Sequence, residues 1–281
     1  MLEDKLFDMS SEKYSDWTKV FKWVHELKLI ILDSDTNSSC EKDMNNFRRN
    51  IAALCQTCEI ILPPNTIYFR ARKVGYGVNG ILKESDEQIL RMIAQNSNDS
   101  FQGFDAKNSL QPLPSSCKGG RTNKAGISHL FLCESREATI AEVKPIIGEY
   151  VSIAEIANGA KRKIIDLTLE NAWHTNEDKS LNALRQIIAW ELHCPLREEE
   201  YRFTQYLCDY INKLGYEGVR FSSAAAPGHV NIAAFNLSEW YVQKTDLVQV
   251  KNVEYSTEKI PYSEPDREMF REIIDAIDKS E

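Results

Sequence analysis

Lys118-Gly-Gly-Arg-Thr-Asn-Lys-Ala-Gly-Ile-Ser-His-Leu-Phe-Leu-Cys-Glu-Ser-Arg-Glu-Ala-Thr-Ile-Ala-Glu-Val143 is the stretch that decides the fold. A glycine pair, Gly119 and Gly120, presents Arg121 and Asn123 on a loop and permits positive φ and close approach to a ligand. The apolar run His129–Cys133 predicts a strand. Ser135 then caps a helix that Pro145 closes, and this helix carries Glu142. A guanidinium placed near a carboxylate suits a substrate with one anionic and one electron-deficient end.

Outward from this segment the pattern stays mixed. Towards the N-terminus, Ile67–Arg72 reads as a strand, and Ser85 with Gln88 forms a capping box for a helix carrying Ile89, Leu90 and Ile93. The chain opens with two helices, marked by Trp17, Val20, Phe21, Val24 and Leu27 and by Met44, Phe47, Ile51 and Leu54. Pro63-Pro64 ends the second and sets the boundary between an N-terminal helical extension, residues 1–62, and a catalytic domain, residues 63–281. Towards the C-terminus, Tyr150–Ile153, Lys163–Leu167, Gly218–Phe221, Asn231–Phe235 and Leu247–Val253 read as strands. Leu181–Leu192, Glu198–Leu214 and Pro265–Lys279 read as helices, Gly215 capping the second. Strands without regular crossover helices predict an α+β fold rather than a doubly wound sheet.

The 281 residues carry a formal charge of −8, which argues against a nucleic-acid-binding face. No apolar stretch approaches the ~20 residues of a membrane helix. Seven scattered cysteines, with no framework spacing and no signal peptide, predict free thiols in a cytoplasmic protein. Cys55-Gln-Thr-Cys58 lies within a helix and lacks a second pair, so no metal is expected there. The five histidines are dispersed, none at helical zinc spacing. Gly75-Tyr-Gly-Val-Asn-Gly80 lacks the residues of a phosphate loop and reads as a flexible loop or lid.

Five further pieces are candidates to converge: Arg70 in Ile67-Tyr-Phe-Arg-Ala-Arg72, Glu142 in Ala141-Glu-Val-Lys-Pro145, and Tyr201 and Gln205 in Glu200-Tyr-Arg-Phe-Thr-Gln205, then Ser222 with Ser223 in Glu217-Gly-Val-Arg-Phe-Ser-Ser223, and Asn231. In this order, together with Gly120-Arg-Thr-Asn-Lys-Ala-Gly-Ile127, the segments resemble the RES domain family from about Ile67 to Phe235. The resemblance implies an ADP-ribosyltransferase-like α+β fold with mixed strands and peripheral helices. It implies an enzyme of the toxin–antitoxin type that consumes NAD, cleaving the nicotinamide–ribose bond by hydrolysis or phosphorolysis. NAD is then substrate, no metal is expected, and an Xre-type antitoxin is the implied partner. A mono-ADP-ribosyltransferase with a protein acceptor and a catalytically silent binding module are the alternatives.

Carried over by motif, the catalytic set is Arg70, Glu142 and Ser223, with Ser222 one position away as the alternative serine. Arg121, Asn123, Phe131, Tyr201, Gln205 and Asn231 are the implied NAD-binding residues. Carboxylates stabilise oxocarbenium-like ribosyl states, and the planar fork of arginine matches pyrophosphate oxygens. Phe131 stands where the family often has a tyrosine, so any hydroxyl role passes to Tyr68, Tyr76 or Tyr201.

Overall fold

Apolar residues spaced by three and four build two opening helices, α1 (Trp17–Leu32) and α2 (Ser39–Cys58). The computed structural model describes residues 17–32, 39–78, 81–84, 103–110, 119–172, 178–194 and 201–254. The expected helices around Ile89 and after Pro265 lie outside these. The chain divides into a compact unit ending at Val250 and a second beginning at Lys251. Of the second unit only residues 251–254 are described.

The strands among the described residues are β1 (Glu59–Leu62), β2 (Ile67–Val78), β3 (Ile81–Glu84), β4 (Leu130–Cys133), β5 (Glu149–Asn158), β6 (Arg162–Asp166), β7 (Gly218–Ser222), β8 (Val230–Ala234) and β9 (Trp240–Gln249). They form one sheet in the order β1-β6-β7-β8-β4-β2-β5-β9, with β3 paired to β2. Only β6 and β7 run parallel; every other pairing is antiparallel. The helices that follow are α3 (Ala106–Leu110), α4 (Arg136–Glu142), α5 (Leu169–Ala172), α6 (Lys179–His193) and α7 (Arg202–Lys213). The architecture is α+β.

Several boundaries differ from the sequence expectation for identifiable reasons. Helix α2 stops at Cys58 rather than at the prolines, because Glu59–Leu62 pairs with β6 as an edge strand. Gly75–Val78 is no loop: it continues β2, paired to β5 and β3. Register shifts at Lys73/Gly75 and Tyr76/Gly77 mark bulges, where strand glycines are at home. Strand β9 begins at Trp240, seven residues earlier than expected, because its edge position lets polar residues occupy a strand.

Alternation sorts the sheet residues onto two faces. Ile165, Val219, Phe221 and Ala233 face the helices and join Trp23, Leu27, Phe47, Ile51, Leu184, Ile188, Phe203 and Leu207 in one core. Their neighbours Ile164, Ile232 and Ala234 point the other way, packing with Tyr68, Leu130, Leu132, Ile156 and Trp240. Helices α1 and α2 therefore share a core with α6 and α7.

One seam in this sheet is incomplete. Strands β2 and β4 pair through Phe69 and Cys133 alone. Continuing that antiparallel register would set Arg70 against Leu132 and Ala71 against Phe131, and those pairs do not form. The gap leaves backbone groups that need partners. One is met from outside the sheet, where Ala71 N donates to Thr139 Oγ1 of α4 at 2.9 Å.

Candidate active site

The unzipped seam opens into a cavity of about 360 Å³ lined by Arg70 and Ala71 on one side and Phe131, Leu132 and Cys133 on the other. Because the strands have parted, consecutive residues of both faces reach it. Gly120, Arg121, Thr139, Glu142, Tyr201, Phe221 and Asn231 complete the principal walls. This volume sits towards the lower end of the roughly 300–1,000 Å³ typical of small-molecule sites.

Glu142 is presented by the last turn of α4. Ser135 caps the start of this helix, its hydroxyl accepting from Ala138 N at 3.1 Å. Pro145 disfavours helical geometry at the residue before it, and Lys144 takes a φ of 47°. The carboxylate is held from the residue after β7 and from β8. Ser223 Oγ donates to Oε1 at 2.6 Å, and Asn231 Nδ2 donates to the same oxygen at 2.6 Å. Among the described residues Oε2 has no hydrogen-bond partner.

Both donors are themselves oriented. Ser223 Oγ accepts from Ala226 N at 3.0 Å, so its proton is directed at Glu142. Asn231 Oδ1 accepts from Cys133 Sγ at 2.9 Å, which turns the amide NH2 to the carboxylate. Ser222 points elsewhere, accepting from Leu169 N at 2.9 Å and lying 3.5 Å from Glu170 Oε2. The hydroxyl that meets Glu142 is that of Ser223.

The cationic side is built differently. Arg70 Nη1 donates to Leu110 O at 2.7 Å. Burial pulls its guanidinium down to about 10, with the adjacent Arg72 charge adding to the effect. Arg72 serves the scaffold: its Nη1 bonds to Asn108 O, and its guanidinium lies over the Phe104 ring. Arg121 Nη1 donates to Leu192 O and His193 O at 3.0 and 3.1 Å, closing the C-terminus of α6, where a positive charge is favoured. Among the described residues neither Arg70 nor Arg121 has a carboxylate in ion-pair range. Two guanidinium charges thus border the cavity without acidic partners, an arrangement that suits an anionic ligand.

Phe131 and Tyr201 also line the cavity. Tyr68 does not: it is buried against Trp240, ring centroids 5.9 Å apart, and the Tyr76 side chain lies outside the described residues. Asn123 and Gln205 lie behind the wall rather than on it. Asn123 Nδ2 donates to Ile127 O at 2.7 Å within its own loop, and Gln205 Nε2 holds Gly120 O at 2.8 Å. The glycine pair adopts no positive φ. A Cβ at Gly120 would sit 2.9 Å from Asn123 Oδ1, so a side chain there would have to displace that of Asn123. Cys133 and Thr139 are cavity residues that the sequence reading missed. Alternation puts Cys133 on the same strand face as Phe131, but only the parted β2–β4 seam brings it to the cavity.

The RES domain family model matches residues 91–256, and the chain belongs to that family. Among solved structures, a chain of the M. tuberculosis MbcT–MbcA toxin–antitoxin complex is similar at a TM-score of 0.37 and 12% identity, covering 72% of this chain and 92% of that one. No curated protein matches.

Proposed function

We propose that this protein consumes NAD, cleaving the bond between nicotinamide and ribose by hydrolysis or phosphorolysis. The observation that carries the reading is the Glu142 carboxylate, fixed at one oxygen by Ser223 and Asn231 on the wall of a cavity that Arg70 and Arg121 also border. The family and its motif order support the same reading. Nicotinamide leaves with the bonding electron pair as a neutral base, and positive charge develops at the ribose anomeric carbon. The carboxylate of Glu142 stabilises that charge and accepts hydrogen bonds from the ribose hydroxyls. Arg70 and Arg121 hold the pyrophosphate, and Phe131 and Tyr201 offer aromatic faces to the rings. Water or phosphate then attacks the anomeric carbon and gives up a proton, leaving ADP-ribose or its 1-phosphate.

As a toxin of the RES type the chain works under a cognate protein inhibitor of the Xre class, a partner proposed on the family resemblance alone. Incubating the purified protein with NAD, with and without phosphate, and following nicotinamide tests the reading. Release is expected in at least one buffer, with ADP-ribose or its 1-phosphate as co-product. Glu142→Ala is expected to lower turnover by about 100-fold or more while the protein stays folded, as loss of a charge-stabilising group does. Intact NAD in both buffers at high enzyme concentration overturns it.

A further inference from the structure

Resting on the reading above, we infer that Cys133 is a positioning residue of the site, acting through Asn231 on Glu142. The carboxylate is held by two donors, and each donor has a second group that leaves it one orientation. For Ser223 that group is the Ala226 N–H. For Asn231 it is the Cys133 thiol, 2.9 Å from Oδ1 and opposite Asn231 in the β4–β8 register. An asparagine amide turned by half a revolution would aim Oδ1 at the Glu142 carboxylate, oxygen against oxygen. A donor at Oδ1 rules out that flip.

Only a protonated sulfur can do this, and the surroundings keep it protonated. Burial chiefly, with the Glu142 and Glu134 charges adding and a hydrogen bond from Thr139 opposing, pushes the thiol up to about 12. Cys133 is therefore a donor throughout the physiological range. Cys133 is 4% exposed and sits within the cavity wall, so its work is done from behind Asn231 rather than by attack on a substrate. No covalent step is assigned to it.

Three replacements separate this role from packing. Cys133→Ser keeps a donor, Cys133→Ala removes it, and Cys133→Val removes it while filling the volume. For nicotinamide release, Ala and Val are expected to lower kcat by roughly 10- to 100-fold, with KM changing by less than about threefold, since misplacing a catalytic group by ~1 Å costs on the order of 100-fold. Ser is expected to recover kcat to within about threefold of the parent, because it restores the donor. In an Asn231→Ala background Cys133→Ala is expected to add nothing, the non-additivity of residues acting in series. Side-chain amide resonances of 15N-labelled protein give a readout that does not need turnover. The Asn231 NH2 pair, assigned by its loss in Asn231→Ala, is expected to shift and exchange faster in Ala and Val but not in Ser.

Val performing as well as Ser in both kcat and the amide signature overturns the inference and makes Cys133 packing only. Additive losses in the double variant overturn it equally. Should the parent protein release no nicotinamide, the proposed function falls, and the amide signature alone still decides whether Cys133 orients Asn231.

Discussion

Where β7 ends at Ser222 and the chain runs on to Ser223, two adjacent serines have different partners that give them different work. Ser223 has its oxygen engaged by Ala226 N and its proton sent to Glu142. Ser222 has its oxygen engaged by the first amide of α5. Ser223→Ala is expected to lower NAD turnover by roughly 10- to 100-fold, because Glu142 loses one of its two anchors. Ser222→Ala is expected to keep turnover and to lower unfolding stability by about 1 kcal/mol, the usual value of such a hydrogen bond. Nicotinamide release and urea midpoints on the two variants check the assignment. The reverse pattern would exchange the roles of the two serines. The motif favours Ser223 and leaves Ser222 one position away as the alternative, since facing is decided only once the local register is known.

Among the elements, the loop from Gly119 to His129 sets one wall of the cavity and is fastened from inside. Gln205 holds Gly120, Asn123 holds Ile127, and Thr122 Oγ1 meets His129 Nδ1 at 3.0 Å. His129 is buried with its ring 4.9 Å from that of Phe235, and burial lowers its pKa to about 4, the Asp209 charge only partly opposing. The folded state therefore resists a proton that the unfolded chain accepts near pH 6.5. The stability this gives is full above that pH, falls as pH drops from about 6.5 to about 4, and changes no further below. The loss is on the order of 3 kcal/mol. His129→Gln is expected to flatten this part of the profile, which urea midpoints at pH 7.5 and 4.5 measure. An unchanged pH slope in the variant would mean that the ring takes up its proton without strain. Sequence signals for elements were good where local chemistry fixes them, as with the Ser135 cap and Pro145 stop of α4. They failed where pairing decides: Glu59–Leu62 becomes a strand only because β6 lies beside it. The same holds for the cavity. Glu142 and Arg70 were visible in their motifs, whereas the parted β2–β4 seam, and with it the places of Cys133 and Thr139, depends on a register that no local pattern prints.

At the scale of the molecule, the first two helices decide whether the rest can stand. Val20, Trp23, Val24, Leu27, Phe47, Ile51 and Leu54 are all buried in the core formed with α6, α7 and the sheet. Phe47 sits among three rings, with centroid distances of 5.8 Å to Trp23, 5.7 Å to Phe203 and 6.1 Å to Tyr206. Further ties cross the same junction: Arg48 Nε donates to Tyr206 Oη at 2.8 Å, and Lys28 pairs with Glu191 at 2.8 Å. Burying one such apolar side chain contributes about 1.5–3 kcal/mol, and a whole domain is stable by only about 5–15 kcal/mol. Losing the set exceeds what the remaining chain can tolerate, and it bares the apolar faces of α6 and α7. A chain shortened to residues 63–281 is therefore expected to be insoluble or to lack cooperative unfolding. Phe47→Ala in the full chain is expected to fold with stability reduced by about 3–5 kcal/mol. Since α7 leads from Tyr201 and α6 ends at the carbonyls that hold Arg121, a loosened helix layer also relaxes the cavity wall, and nicotinamide release by Phe47→Ala is expected to fall at temperatures well below its unfolding midpoint. A soluble 63–281 chain that unfolds cooperatively and turns over NAD at the parent rate would show that the helices are an addition to the enzyme rather than part of its core.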